Sequence, residues 1–483
     1  MINLCLYSVV FYRDLLYSIV YTLYEVVDIL NWLVKKPDFY RTLLMLAVPM
    51  VLQSLLSMSV SFADNIMVGQ LGERAIAGVM MANQVLSILA MFTYGISAAL
   101  VVLAAQYWGK KDLSSVRAVA AIGIKVALII GFIITVVTLL FPSWVLGLFT
   151  NDPGVIEEGV RYIKIAAYSY VLLCLTQTLI GAMRCVEVVR IGVYVSLSSL
   201  GISVLGNYAL IFGNWGFPEL GIRGAAIATL AARISEVIIM TIYVICIDKR
   251  LKFRFSELFK RNRDLLSDFF RYGLPVMGSD ISWGIIGALK VAILGRLGES
   301  VMAANSIAIM LFNIITILIW SASGASGVII GKTVGSGDYN LVKQYARTLQ
   351  MIFAALGIVA GLLLFGLKDA FISIYSFSEE TKVIANQFMI ILSITVVFTS
   401  YHAASFVGII RAGGDTKFVF IVDFLCSWFF VLPLAFLAAF VWNAPPWVVF
   451  LCIFSDQLYK WIIAIIKTNR FKWIKNLTRE AVG

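Results

Sequence analysis

GQLGERAIA at residues 69–77 returns as GRLGESVMA at residues 295–303, and the agreement runs well past both strings. Pro49 answers Pro275, Ser97 answers Ser323, Gly109 answers Gly335, and Asp112 answers Asp338. All are displaced by 226 residues, the difference between 49 and 275, without a gap. Each copy is embedded in strongly apolar sequence. Two similar apolar halves laid end to end are the layout of repeat-built transporters, whose substrate site usually lies between the repeats near mid-membrane.

Composition narrows the class. Of 483 residues 61% are hydrophobic and only 13% charged, more apolar surface than a soluble globule can bury. A helix needs about 20 apolar residues to cross a hydrocarbon core ~30 Å thick. The chain supplies twelve such runs, near 41–68, 75–105, 116–146, 160–184, 191–213 and 222–247, then 267–294, 301–331, 344–376, 382–410, 416–440 and 446–468. The alternating ten-residue segments of a membrane barrel are missing. The expected fold is an all-α polytopic membrane protein with twelve transmembrane helices in two six-helix lobes. Six spans return the chain to its starting side, so the halves are parallel repeats. The expected organisation is an N-terminal extension (1–36), an N-lobe (37–247), a basic linker (248–266), a C-lobe (267–470) and a tail (471–483).

The formal charge of +11 is unevenly placed. The 248–273 connector carries Lys249, Arg250, Lys252, Arg254, Lys260, Arg261, Arg263 and Arg271, and the other even-numbered connectors and the tail are also basic. Odd-numbered connectors carry Glu157, Glu158, Glu219, Glu379 and Glu380 or no charge. By the positive-inside rule both termini are expected in the cytoplasm. No basic stripe with stacking aromatics points to nucleic acid. Six cysteines show no CxxC and no ligand spacing, so neither a disulfide framework nor a metal site is expected. One histidine, no HExxH and no Gly-x-Ser-x-Gly elbow argue against an enzyme. In residues 1–36, Arg13, Asp14, Glu25 and Asp28 interrupt the apolar residues, which excludes a thirteenth span. There is no basic n-region of a signal peptide. Tyr17, Tyr21 and Tyr24 fall at helical spacing, as in an interfacial helix; a non-functional extension fits equally well.

Further motifs carry a family resemblance. They are Ala63-Asp64-Asn65 with Gly69-Gln70-Leu71-Gly72, Gln106-Tyr107-Trp108-Gly109, Asn207 to Gly213, Gly216 to Thr229, Gly273-Leu274-Pro275 and Arg411 to Thr416. In that order and spacing the chain resembles the multidrug and toxic compound extrusion (MATE) transporters over residues ~38–480. The counterpart of Arg411–Thr416 in the first half, Arg184 to Val189, lacks the glycines, which puts the symmetry of those loops in question. The resemblance implies a cofactor-free antiporter that exports organic cations in exchange for Na⁺ or H⁺, with two lobes alternating access.

Charges inside spans are functional candidates because burying one in hydrocarbon costs a few kcal/mol. Asp64, in the outer third of span 1, matches the family's ion-coupling aspartate. Asn207 in span 5 falls where relatives carry Asp or Asn, and Gln53 and Thr229 are weaker candidate partners. Asp280 in span 7 has Trp283 three residues on, an anion beside an aromatic face suited to a lipophilic cation. Asp423 in span 11 is a further candidate for the substrate cavity. Asp456 and Lys460 are spaced as an intrahelical pair near the cytoplasmic end, and Arg233 and Glu236 as another. Lys290, the repeat equivalent of Asp64, is expected to snorkel to the outer surface, with pairing to a carboxylate as the alternative. His402 is expected to be a packed or interfacial residue. The expected whole is a monomeric, multi-pass efflux antiporter of the inner (cytoplasmic) membrane. A lipid-linked oligosaccharide flippase of the same superfamily is the alternative; it would need a cavity rich in Arg or Lys to hold pyrophosphate.

Overall fold

The computed structural model describes residues 33–260, 262–375 and 377–479; the expected interfacial helix around Tyr17–Tyr24 lies outside them. Among the described residues the secondary structure is helical throughout. Spans 1 to 3 are Pro37–Gly69, Glu73–Gly109 and Leu113–Leu140, and spans 5 and 6 are Arg190–Phe212 and Ile222–Ile247. Spans 7 to 12 are Arg263–Gly295, Glu299–Gly335, Tyr339–Ser373, Glu379–Arg411, Thr416–Val441 and Pro446–Asn469. Span 4 differs from expectation. It is two segments, Pro153–Ala166 and Ser169–Cys185, bent by 54°. No proline sits at the break. Instead Thr135 Oγ1 donates to the Ala167 carbonyl at 3.3 Å and Ser169 Oγ to the Ala166 carbonyl at 2.6 Å, side-chain bonds inserted at the point where the ladder breaks.

The repeat anchors have physical reasons. Asp112 and Asp338 cap spans 3 and 9, accepting from the Ser115 and Leu341 backbone N–H at 3.1 and 3.0 Å. Gly109 and Gly335 lie where spans 2 and 8 cross. A methyl group at Gly109 would stand 1.9 Å from the Lys332 carbonyl oxygen, and one at Gly335 would stand 1.8 Å from that of Gln106. Only glycine permits that approach from both sides.

Buried side chains form two apolar cores, one per lobe. Spans 1 and 7 exchange partners between them. Phe39, Leu43, Leu46 and Met50 of span 1, all before or beside Pro49, belong to the C-lobe core. Phe269, Val276 and Met277 of span 7, around Pro275, belong to the N-lobe core. Each lobe thus lends the first half of its first helix to the other.

This exchange occurs at the end of the bundle that carries the linker, and the lobes are sealed there. Gln106 Nε2 of span 2 donates to the Ala412 carbonyl at 3.1 Å, and Lys332 of span 8 pairs with Glu187 at 2.7 Å. Residues 471–479 complete the seal instead of trailing free. Trp473 is fully buried, and the Lys475 N–H donates to the Gly413 carbonyl at 2.8 Å. The Leu477 N–H donates to Gln106 Oε1 at 2.7 Å, and Arg479 pairs with Asp268. Burial pushes the Asp415 carboxyl up, but Lys467 and Lys475, each 2.8 Å away, outweigh it and hold it below the usual carboxylate range.

The two loops after spans 4 and 10 keep one shape despite their different sequences. Gly414 has φ +103°, and its counterpart Glu187 has φ 62°, a left-handed conformation unusual for a side chain. Arg250 Nη1 donates to the Val186 carbonyl at 2.9 Å beside it, and Lys332 holds the Glu187 carboxylate. In the C-lobe the glycines leave room for Trp473, whose ring would lie 2.2 Å from a methyl group at Gly413.

Candidate functional site

Asp64 lies five residues before the end of span 1, away from the linker end. Its Oδ1 accepts from Ser203 Oγ and from Asn207 Nδ2, each at 2.6 Å. Both donors are neutral and come from successive turns of span 5, and both residues are almost fully buried. The Asn207 Oδ1 atom is buried with no hydrogen-bond partner. An orphaned amide oxygen beside a carboxylate is a donor set that fits a proton or a small hard cation. Arg233 is close enough to act electrostatically on Asp64, but its guanidinium is committed to Glu236, to whose two oxygens Nη1 donates at 2.8 and 3.0 Å.

The structure joins Asp64 and Asn207, and hydrogen-bonds neither of the other two candidates to them. Thr229 donates to the Ala225 carbonyl at 3.0 Å, and its hydroxyl lies 3.4 Å from the Tyr162 hydroxyl. Tyr162 is itself within electrostatic range of Asp64. Gln53 is three helical turns from Asp64 toward the linker end, where its Oε1 accepts from Arg184 Nη2 at 2.9 Å. The residue missed was Ser203. Its signal was legible, because it sits four residues before Asn207 on the same helix face.

The C-lobe candidates are carboxylates that already have cations. Asp280 receives both Nη groups of Arg411 at 3.0 Å, a two-pronged pair. Hydropathy had assigned Arg411 to a basic connector; it is buried at the end of span 10. Trp283 is 70% exposed and meets Trp320 of span 8 edge to face at 6.2 Å. It contacts neither Asp280 nor Asp423 through its indole N–H, whereas Trp428 donates to Ser282 at 2.8 Å.

Asp423 is 3.0 Å from Lys460 Nζ and 3.5 Å from His402 Nε2. Lys460 also holds Asp456 at 3.0 Å, so the pair expected within span 12 is half of a bridge between two spans. Nor does it lie near the expected cytoplasmic end: Asp456 and Lys460 are close to the middle of Pro446–Asn469, just after a break at Phe454, and almost fully buried. Lys290 does not snorkel outward. Its ammonium stands 5.5 Å from the Phe454 ring centre, within electrostatic range of Asp456 and Lys460. Spans 7, 10, 11 and 12 thus bring five titratable side chains together where the sequence offered isolated residues. Among the described residues no group of three or more His, Cys, Asp or Glu is arranged to hold a metal ion.

Eleven long apolar helices and one bent pair, in two repeat-related lobes with buried charges grouped inside each, are the layout of a polytopic membrane transporter. The MatE family model matches residues 49–209 and again 275–437, one match per lobe. The chain belongs to this family, the MATE transporters. Among curated proteins it is 27% identical over 427 residues to the probable multidrug resistance protein NorM of Rhizobium meliloti, covering 84% of this chain and 90% of that one. It is 22% identical to the uncharacterized transporter YisQ of Bacillus subtilis over 91% of this chain and 97% of that one. Its fold matches the eukaryotic MATE transporter AtDTX14 with a TM-score of 0.80 at 20% identity, covering 91% and 97% of the two chains. A MOP superfamily transporter from Pyrococcus furiosus matches with a TM-score of 0.81 at 16% identity, covering 91% and 96%.

Proposed function

We propose that this protein is an ion-coupled exporter of organic cations, with Asp64 as the residue that carries the coupling ion. The observation that supports this reading most is the setting of Asp64, a carboxylate in a membrane span held by two neutral donors beside the unpartnered Asn207 oxygen. A charge in that position, without an ion pair of its own, is suited to pick up and release H⁺ or Na⁺. The multidrug resistance proteins among the relatives support drug-like substrates.

In this reading the linker end, with its basic connectors, faces the cytoplasm of a cell-membrane protein that works as a monomer, and the sealed arrangement is the outward-facing state. Substrate would occupy the space between the lobes, near Asp280, Trp283 and Asp423. Because Arg411 and Lys460 already occupy the two carboxylates, an entering organic cation would displace them rather than fill an open acidic pocket. The membrane potential supplies about 2.3 kcal/mol per charge per 100 mV, so one coupled cation drives modest accumulation unless a chemical gradient adds to it. The flippase alternative loses support from the same pairs, since the buried cations of the C-lobe are neutralised and leave little for a pyrophosphate.

The test is uptake of a fluorescent organic cation into everted vesicles, with a Na⁺ gradient or a pH gradient imposed separately. One gradient should drive uptake in the wild type and fail to do so in Asp64→Asn. Gradient-driven uptake that survives this substitution would refute the assignment.

A further inference from the structure

His402 is the only histidine in the chain and is 8% exposed in the interior of the C-lobe. A histidine kept for packing usually has one ring nitrogen tied to a carbonyl or carboxylate, which fixes its tautomer. Here neither Nδ1 nor Nε2 has a hydrogen-bond partner. Nε2 instead faces Asp423 Oδ1 at 3.5 Å, a gap that a small side-chain rotation closes. Phe406 packs against the ring at 4.6 Å and holds it in this pocket.

The charged groups around the ring come from three other spans. Asp423 belongs to span 11, Asp456 and Lys460 to span 12, and Lys290 to span 7. The faces that spans 8 and 9 turn toward this part of span 10, at Ser323, Phe353 and Gly357, are uncharged. With a neutral imidazole, two carboxylates balance two ammonium groups. His402 is therefore the member that takes part in no ion pair while neutral, whereas Asp423 and Asp456 share Lys460. The backbone is also unusual there. A π-helical stretch, Ala403–Arg411, begins at the residue after His402, and another, Cys426–Val431, begins three residues after Asp423. Such widened turns recur at functional sites in helices.

We infer that His402 and Asp423 form a proton site in the C-lobe, separate from Asp64, at which a proton and an organic cation compete for one carboxylate. Neutral His402 takes a proton at Nε2, and the resulting N–H donates to Asp423 Oδ1. Lys460 then gives up Asp423 and remains with Asp456, and span 11 is freed from span 12. When the proton leaves, Asp423 is available to Lys460 or to the substrate cation. The competition rests on the reading of Asp423 as a substrate carboxylate; the proton site does not.

Because there is one histidine, its ring signals in the full-length protein, labelled at histidine and placed in nanodiscs, need no assignment. Followed from about pH 5 to about pH 8, those signals should change as the ring takes up and releases a proton. Asp423→Asn should lower the midpoint through loss of the facing charge, whereas Asp423→Glu should keep it. Asp64→Asn should leave it in place. Tetraphenylphosphonium should lower the midpoint by occupying Asp423. A ring that stays in one protonation state across this range, or a midpoint indifferent to both Asp423 substitutions, overturns the proton site. A response to Asp423→Asn without one to tetraphenylphosphonium overturns the competition and removes Asp423 from the substrate path, while leaving the Asp64 reading as it was.

Discussion

Asp64 and Lys290 hold the same place in the two repeats, and their surroundings differ in kind. In the N-lobe a lone carboxylate sits between a hydroxyl and an amide. In the C-lobe an ammonium looks across at a lattice of carboxylates and cations that balance one another. The contrast recurs at the linker end. Arg184 and Arg411, counterparts at the end of the fourth span of each repeat, both reach back to the first span of their own repeat. Arg184 finds the neutral Gln53, and Arg411 finds Asp280. One backbone plan therefore carries two electrostatic designs. An unpaired acid can change its charge at modest structural cost, whereas a paired one cannot lose its partner cheaply.

Removing one charge from each design should separate them most. Lys460→Met leaves Asp423 and Asp456 without their shared partner, and by the usual cost of breaking a buried pair it should destabilise the protein by ~3–5 kcal/mol. Asp64→Asn removes a charge that has no ion pair and should cost no more than about 1 kcal/mol while abolishing coupling. Thermal unfolding of the purified variants in detergent reads both, and equal losses would erase the distinction.

The glycine crossing tests the opposite claim, that the lobes are equivalent where only backbone meets backbone. Gly109→Ala and Gly335→Ala each drive a methyl group into a carbonyl oxygen of the other lobe, and overpacking of this kind costs ~1–3 kcal/mol. Both should part the linker end to a similar degree. The readout is increased labelling of a cysteine placed at Glu187 by a membrane-impermeant thiol reagent applied to that face. An effect from only one of the two substitutions would break the symmetry.

Giving Arg184 the partner that Arg411 has should make the N-lobe resemble the C-lobe. Gln53→Glu should raise stability by about 1 kcal/mol and slow transport, measured on the same variant by unfolding and by vesicle uptake. The smallest effect concerns Asp415, whose counterpart in the first repeat is Val188. Its carboxyl is held below the ordinary range, so its contribution is complete above the unfolded value of about 3.9 and is lost as pH falls through the lower folded value. The stability difference between wild type and Asp415→Asn should be constant from about pH 5 to pH 8 and should shrink in stronger acid.

How much of this was legible beforehand varies with the kind of interaction. The helical class and the span order follow from hydropathy, and the link between Asp64 and Asn207 was implied by the family resemblance. Ser203 could have been added from its position one turn before Asn207. Lys460 was visible only as a partner of Asp456, because spacing along one helix says nothing about a neighbour on another. Arg411 was taken for a connector residue for the same reason: hydropathy ends a span at the first charge, although the helix continues to that arginine.

The amino-acid sequence by itself determined that the chain spans a membrane many times, that its halves are copies, and that few charges enter hydrocarbon. Those properties depend on transfer free energies and on periodicity, which act residue by residue. Tertiary structure decided which charges are matched and which is left open: Asp280 with Arg411, Asp423 with Lys460 and His402, Asp64 with no cation bonded to it. It also decided that residues 471–479 lie across the joint between the lobes. The interaction of two charges depends on the few ångströms between side chains of different helices, and packing alone sets that distance.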